Sequence, residues 1–305
     1  MLPLDLALIG VPKAGTSSIF DALAEHPDVQ GTRPKETFFF MDDAHPLHGA
    51  AGGSIQANGP DALADLFRGD RRDSAAVRME GTALHIYSET ARRHFRAAPD
   101  LKLVVSLREP AARIRSLYRY VATHQCNLEG VSFASYVDHL LAGDMEGIRN
   151  RFLNESSFLA LRDALIHSDY AYWLDQWHPE ITEGRLHIVI FEAYQAEPRE
   201  VLQTLAGWLG IDPGFYSDYR PQHANPTYTN RFRSVHRFVR RRAARLPDAL
   251  KRPWLVNLYR RLQAAPPPGD SGEAQAMARL RDHFAPKTER LETEYGLGVH
   301  KLWYG

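Results

Sequence analysis

Residues 10–18 read Gly-Val-Pro-Lys-Ala-Gly-Thr-Ser-Ser and follow directly on an apolar run. A strand, a turn and a helix start in this order bring successive backbone N–H groups and a helix N-terminus onto one anion. Gly15 lets the backbone approach a phosphate closely, and the N–H groups from Ala14 to Ser18 point at it. The hydroxyls of Thr16, Ser17 and Ser18 add donors, and Lys13 adds a charge. A nucleoside-triphosphate P-loop needs Lys immediately after its second Gly, then Ser or Thr for magnesium. Here Thr16 stands in the Lys position and Lys13 precedes Gly15, so this is not a Walker A sequence. A second group, Arg108-Glu109-Pro110-Ala111-Ala112-Arg113-Ile114-Arg115-Ser116, follows another apolar run. An Arg fork with a hydroxyl suits a terminal phosphate dianion, and pairing of Arg108 with an acid such as Glu109 is the alternative. The third candidate is Glu36, a possible general base in Arg33-Pro34-Lys35-Glu36-Thr37-Phe38-Phe39-Phe40. The three Phe residues would desolvate it and raise its pKa, whereas a solvent-facing Glu in a charged loop is the ordinary reading.

These groups need a frame. Residues 4–11 (LDLALIGV), 77–80, 101–107 (LKLVVSL) and 186–191 (LHIVIF) read as buried strands. Helical patterns lie near 17–26, 88–97, 111–124, 132–142, 158–177 and 198–209, with a closing helix at about 273–295. Strands alternating with helices imply parallel βαβ units in a three-layer α/β sandwich. Arg108 then sits at the C-terminal end of a strand, where open α/β sheets bind ligands. The Gly-, Ala- and His-rich stretch 42–60 suggests a mobile loop.

Lys13-Ala14-Gly15-Thr16-Ser17-Ser18 resembles the 5′-phosphosulfate loop of sulfotransferases that use 3′-phosphoadenosine 5′-phosphosulfate (PAPS), of the heparan-sulfate type and related bacterial enzymes. Arg-Glu-Pro-x-x-Arg-x-x-Ser on residues 108–116 is similar to their 3′-phosphate motif, and His26-Pro27-Asp28-Val29 to the segment after their loop. Tyr170, Leu174 and Trp177 with the strand at 186–191 look like a further family stretch, in which core packing suits the aromatic residues best. The resemblance implies a P-loop-like fold with a central parallel sheet flanked by helices, PAPS as donor and no metal. It also implies a 5′-phosphate on residues 14–18 and a 3′-phosphate on Arg108 and Ser116. Glu36 aligns with the family's catalytic Glu before a Phe pair, and Lys13 would neutralise the bridging oxygen as the phosphosulfate bond breaks. The family closes the nucleotide with a late basic loop, which places Arg231 and Arg233 near the 3′-phosphate.

Other positions depart from the family pattern. Phe38 stands where a His is frequent, and Gly81-Thr82-Ala83-Leu84-His85 replaces Lys-Thr-Pro-x-Tyr. Lys35 is a second cation near the sulfuryl group or, equally, a solvated surface lysine, and Phe38 and His85 are candidates for acceptor contact, His85 being equally a structural histidine. Phe38 makes the pocket less saccharide-like, which leaves a small-molecule, glycan or lipid acceptor open.

Composition limits the alternatives. The chain has 305 residues, 44% apolar and 24% charged, in the globular range. Lys plus Arg and Asp plus Glu number 37 each, which argues against a general nucleic-acid-coating protein. Cys126 is the single cysteine, so no intramolecular disulfide forms and a reducing, cytoplasmic setting fits. The N-terminal residues lack a signal-peptide pattern, and no run reaches the ~20 apolar residues that cross a bilayer. One domain over 1–305 is expected, with a basic helical subregion at about 231–272. There, 231–261 carries eleven Lys or Arg and one acid, Asp248. Its segment 234–245 reads as a basic amphipathic helix, suited to solvent or to peripheral contact with anionic lipid. A magnesium-dependent P-loop kinase, using the acid after the strand at 186–191, and a non-catalytic nucleotide-binding protein of the same fold are the competing functions.

Overall fold

The apolar runs pair side by side. In the computed structural model, which describes residues 2–67, 76–220, 229–230, 264–265 and 272–305, five strands form one parallel sheet. They are β1 (Leu6–Gly10), β2 (Val29–Gly31), β3 (Val77–Glu80), β4 (Lys102–Leu107) and β5 (Leu186–Ile190), in the order β2-β3-β1-β4-β5. β1 is buried at every residue, as a parallel strand covered on both faces must be.

Alternation along the strands sorts the core into two layers. Ala7, Ile9, Leu103, Val105 and Leu107 face one way, onto Phe95, Leu174 and Trp177. Leu6, Leu8 and Val104 face the other, onto Ile19, Phe20 and Leu23 of α1 (Thr16–Glu25) and Leu202 and Leu205 of the Pro198–Leu209 helix. The four strands read from the sequence are present, and the sheet is α/β with helices on both faces. β2 is the addition: three residues are too few for a hydrophobic pattern to show.

Two helical stretches differ from their sequence reading. Residues 158–177 hold separate helices, Glu155–Arg162 and Tyr170–Gln176, joined by a 3₁₀ turn at Ile166–Ser168. Each restarts on a polar cap: Asn154 accepts from the Ser157 N–H at 2.8 Å, and Asp169 from that of Tyr172 at 3.4 Å. The pattern at 111–124 is an α-helix over Pro110–Arg119 that widens into a π-turn at Tyr120–His124. The stretch 42–60 is a run of hydrogen-bonded turns leading to a short helix, Ile55–Asn58. It is fastened by Asp42, whose carboxylate accepts from the Thr90 N–H at 2.7 Å and the Glu89 N–H at 3.1 Å, at the start of the Glu89–Arg96 helix.

By contact the chain divides into two units, one of 1–109, 167–224 and 284–305, the other of 110–166 and 225–283. The sheet belongs to the first. In the second, the buried Arg113 donates to the Ala164 carbonyl at 3.0 Å, and the Tyr136 hydroxyl to that of Leu161 at 2.9 Å. Also there, Glu273 receives Arg119 at 2.7 Å and Arg115 at 3.4 Å. Thr229–Asn230 and Ala264–Ala265 pair antiparallel. Arg231, Arg233 and the basic segment 234–245 lie outside the described residues. No helix among the described residues is long and apolar enough to cross a membrane.

Candidate functional site

In the strand order β2-β3-β1-β4-β5 the chain leaves β1 for one side of the sheet and later returns past it to the other. Open parallel sheets bind ligands at such a reversal, outside the carboxyl ends of the strands. The segments leaving β1, β2, β3, β4 and β5 carry Lys13, Glu36, Thr82, Arg108 and Phe191 respectively.

The loop after β1 is held from beneath. The Val11 N–H donates to the Ser106 carbonyl at 2.9 Å, and the Ser106 hydroxyl to the Ala14 carbonyl at 2.6 Å. Lys13 and Gly15 take positive φ of 74° and 79°, which folds the loop back over the sheet. α1 then begins at Gly15 with no side-chain cap and no acid in its first turn. Its first N–H groups are thereby left for an anion.

Position 15 requires glycine twice over. A Cβ there would lie 2.4 Å from the Phe191 ring, and the backbone is left-handed. Gly15→Ala is expected to lose about 1–2 kcal/mol from the backbone conformation alone, and to displace Phe191. Denaturant unfolding with a nucleotide-binding titration checks this, and parental values for both would show that the Gly15–Phe191 contact is dispensable.

Phe191 also supports Arg108, whose guanidinium lies 4.9 Å from the ring centroid. Arg108 Nη1 donates to the Lys13 carbonyl at 3.2 Å, and the Tyr170 hydroxyl donates to the Arg108 carbonyl at 2.8 Å. Tyr170 and Trp177 are both buried, and the Trp177 indole N–H donates to the Ile86 carbonyl at 3.0 Å. The two aromatics are core residues, one of which also braces the site. Burial and the neighbouring Arg108 guanidinium push the Lys13 ammonium down to about 8, while Glu36 pulls it the other way.

Glu36 projects from the segment after β2 with its side chain 43% exposed. Lys35 Nζ lies 3.6 Å from its carboxylate and donates to Thr16 Oγ1 at 3.4 Å. Room for Lys35 comes from Gly81: a Cβ there would lie 3.1 Å from Lys35 Cε and 2.6 Å from the Phe20 ring. The structure thus joins the loop after β1 to Arg108 through the Lys13 carbonyl and to Lys35, with Glu36 beside Lys35, all within the first unit. Ser116 is on the Pro110–Arg119 helix of the second unit and is partly buried.

Two expectations are corrected. Phe39 and Phe40 do not cover Glu36: both are buried in the core beside Ile86 and Phe95, and only Phe38 is partly exposed. Phe38 has φ of 53°, which turns the chain so that its two successors point inward. His85 does not reach an acceptor either. It is completely buried, edge-on to Phe40 and Phe95, with Nδ1 3.2 Å from Glu80 Oε2. Glu192, the acid after β5, has both oxygens engaged, by the Glu109 N–H at 3.1 Å and the Trp303 indole N–H at 2.9 Å. Among the described residues no group of three or more His, Cys, Asp or Glu is arranged to hold a metal ion. Phe191, Thr37 and Glu80 were missed by sequence reasoning; each acts through a partner far away in the chain.

Comparison with known proteins gives one consistent picture. The family model described as a sulfotransferase domain matches residues 3–222. Bifunctional heparan sulfate N-deacetylase/N-sulfotransferase 1 is 23% identical over 217 residues in Caenorhabditis briggsae and 25% identical over 214 residues in Mus musculus. Each alignment covers 68% of this chain and 22% of the relative, so the chain spans about a fifth of the length of the curated relatives it matches. A sulfotransferase crystal structure from Alicyclobacillus acidocaldarius shares the fold with a TM-score of 0.55 at 21% identity, over 92% of this chain and 96% of that one.

Proposed function

The chain belongs to the sulfotransferase domain family, and from that premise we propose that it moves a sulfuryl group from PAPS to a hydroxyl of a small-molecule or glycan acceptor. The observation that carries this reading is the meeting of Lys13, Lys35, Arg108 and the exposed Glu36 around an uncapped helix start. Three cations against one carboxylate suit a donor rich in negative charge, and the carboxylate supplies a base.

In this reading the N–H groups from Ala14 to Ser18 hold the 5′-phosphate and Arg108 holds the 3′-phosphate, Ser116 being the second position that the family resemblance assigns to it. Glu36 takes the proton from the acceptor hydroxyl, whose oxygen attacks sulfur as the bond from sulfur to the bridging phosphate oxygen breaks. That oxygen leaves on 3′-phosphoadenosine 5′-phosphate (PAP), its new charge met by the Lys13 ammonium. Lys35, beside both Glu36 and Thr16, faces the sulfuryl oxygens. The work is positioning and electrostatics, as in phosphoryl transfer. A glycan acceptor draws support from the relatives named for heparan sulfate, and Phe38 offers a ring at the edge of the site. Thr16 rather than Lys follows Gly15, which weakens the kinase alternative.

Thermal-shift titration with PAP, beside ATP and ADP with and without magnesium, tests the donor. At 100 times its dissociation constant PAP is expected to add about 2.7 kcal/mol of stability, with no need of magnesium. Transfer of labelled sulfate from PAPS is then screened on hydroxyl-bearing and amine-bearing acceptors, glycans and small aromatics included. Stabilisation by magnesium–ATP alone would reject the reading.

A further inference from the structure

The carboxylate of Glu80 ends β3 with no exposure to solvent. A charge taken wholly out of water is retained only where donors replace the water, and here they come from two segments. Oε1 accepts from the Thr37 N–H at 3.2 Å and the Thr37 hydroxyl at 2.8 Å. The same oxygen accepts from the Thr82 N–H at 3.0 Å and from the Thr82 hydroxyl. Oε2 accepts from the Thr82 N–H at 3.0 Å and faces His85 Nδ1 at 3.2 Å. Burial pushes this carboxyl up, yet the His85 ring and the Thr82 hydrogen bonds outweigh it and keep the group ionised.

Ionisation fixes the direction of the network. A carboxylate only accepts, so both threonine hydroxyls spend their protons on it and turn their lone pairs outward. The Thr82 oxygen then accepts from the Phe38 N–H at 3.0 Å, and the Thr37 oxygen from the Phe39 N–H at 3.2 Å. On the other side of Glu36, the Lys35 carbonyl accepts from the Gly81 N–H and the Thr32 hydroxyl, each at 3.2 Å. Glu36 therefore stands between two fastened neighbours on an otherwise exposed segment.

We propose that Glu80 is a positioning residue for Glu36: acting through Thr37 and Thr82, it locks residues 37–39 to the end of β3 and so keeps the Glu36 carboxylate beside Lys35 and Lys13. The proposal rests on the reading of Glu36 as the base, and on nothing in the acceptor. Glu80 touches no substrate; it sets where the base points.

Thr37→Val removes the hydroxyl at nearly constant volume, and Thr37→Ser restores it. The valine variant is expected to keep its PAP dissociation constant within about twofold, by isothermal titration, and to lose about 10–100-fold in kcat, the scale of a misplaced catalytic group. Thr37→Ser recovers most of that loss. NMR titration of the lysine side chains supplies a readout independent of turnover: once Glu36 swings away, Lys13 loses its support and titrates lower, as it does in Glu36→Gln. Hydrogen exchange at the Phe38 and Phe39 amides of the unaltered protein adds a test that needs no folded variant, with protection like that of β3 expected. A parental Lys13 titration and kcat in Thr37→Val, or rapid exchange at those amides, overturns the positioning role. If instead Glu36→Gln leaves both kcat and the Lys13 titration at parental values, the assignment of the base has failed.

Discussion

Glu36→Gln is expected to bind PAP as tightly as the parent chain and to transfer sulfate about 10²–10⁴-fold more slowly, the range that general base catalysis contributes. The amide keeps the size and hydrogen-bonding reach of the carboxylate and loses its capacity to take a proton. The Glu36 side chain is 43% exposed and, among the described residues, Lys35 alone stands within ion-pair distance, so the substitution leaves no buried charge unpartnered and the fold should be untouched. Retained PAP affinity separates a lost base from a lost donor site. Acceptor-dependent release of PAP, followed by chromatography, gives the rate. Turnover within a few-fold of the parent would remove Glu36 from the mechanism and shift attention to the acceptor's own acidity.

Lys13→Met carries the second large effect. An electrostatic contact made to the leaving oxygen is worth about 10²–10³ in kcat, and methionine fills the space without the charge. The pH dependence adds a sharper test. The Lys13 ammonium titrates at about 8 because of burial and Arg108. An anionic donor binds the protonated form and raises its pKa in the complex. Affinity for PAP is therefore flat between about pH 7, where its phosphates are fully ionised, and about pH 8, and falls as pH rises beyond it, up to about tenfold per unit until the pKa of the complex is reached. In Lys13→Met the affinity is weaker at pH 7 and the decline above pH 8 is gone. A decline that persists in the variant would assign the titration to another group.

The frame of the loop after β1 was legible in the sequence because its information is local. β1, the glycine turn and the start of α1 are contiguous, and the apolar runs of β4 and β5 show directly where the sheet lies. The packing around the segments after β2 and β3 was not. Lys35 meets Thr16 across 19 residues, and Thr37 meets Glu80 across 43, so no spacing rule links either pair. Phe38, Phe39 and Phe40 look alike in sequence, and one left-handed residue sends two of them into the core. His85 showed the same ambiguity between a polar pocket residue and a core histidine, and complete burial against Phe40 and Phe95 decides for the core. The break in the pattern at 158–177 was hidden because both pieces present apolar residues at helical intervals; only the caps at Asn154 and Asp169 mark two starts.

The placement of β1 inside the sheet has a consequence for how such a protein diverges. In the proposed reading the groups that grip the donor leave β1 and β4, while the base and its supports leave β2 and β3 on the opposite flank. On that reading one flank is committed to an unchanging currency molecule and the other to whatever is being decorated. Insertions or exchanges in the segments after β2 and β3 would re-tool the chain for a new recipient while the grip on the donor is inherited intact. Chimaeras that graft this flank from a relative with a known recipient, cut after α1 and before β4 so that the loop after β1 stays in place, are the natural way to move a preference between members of the family.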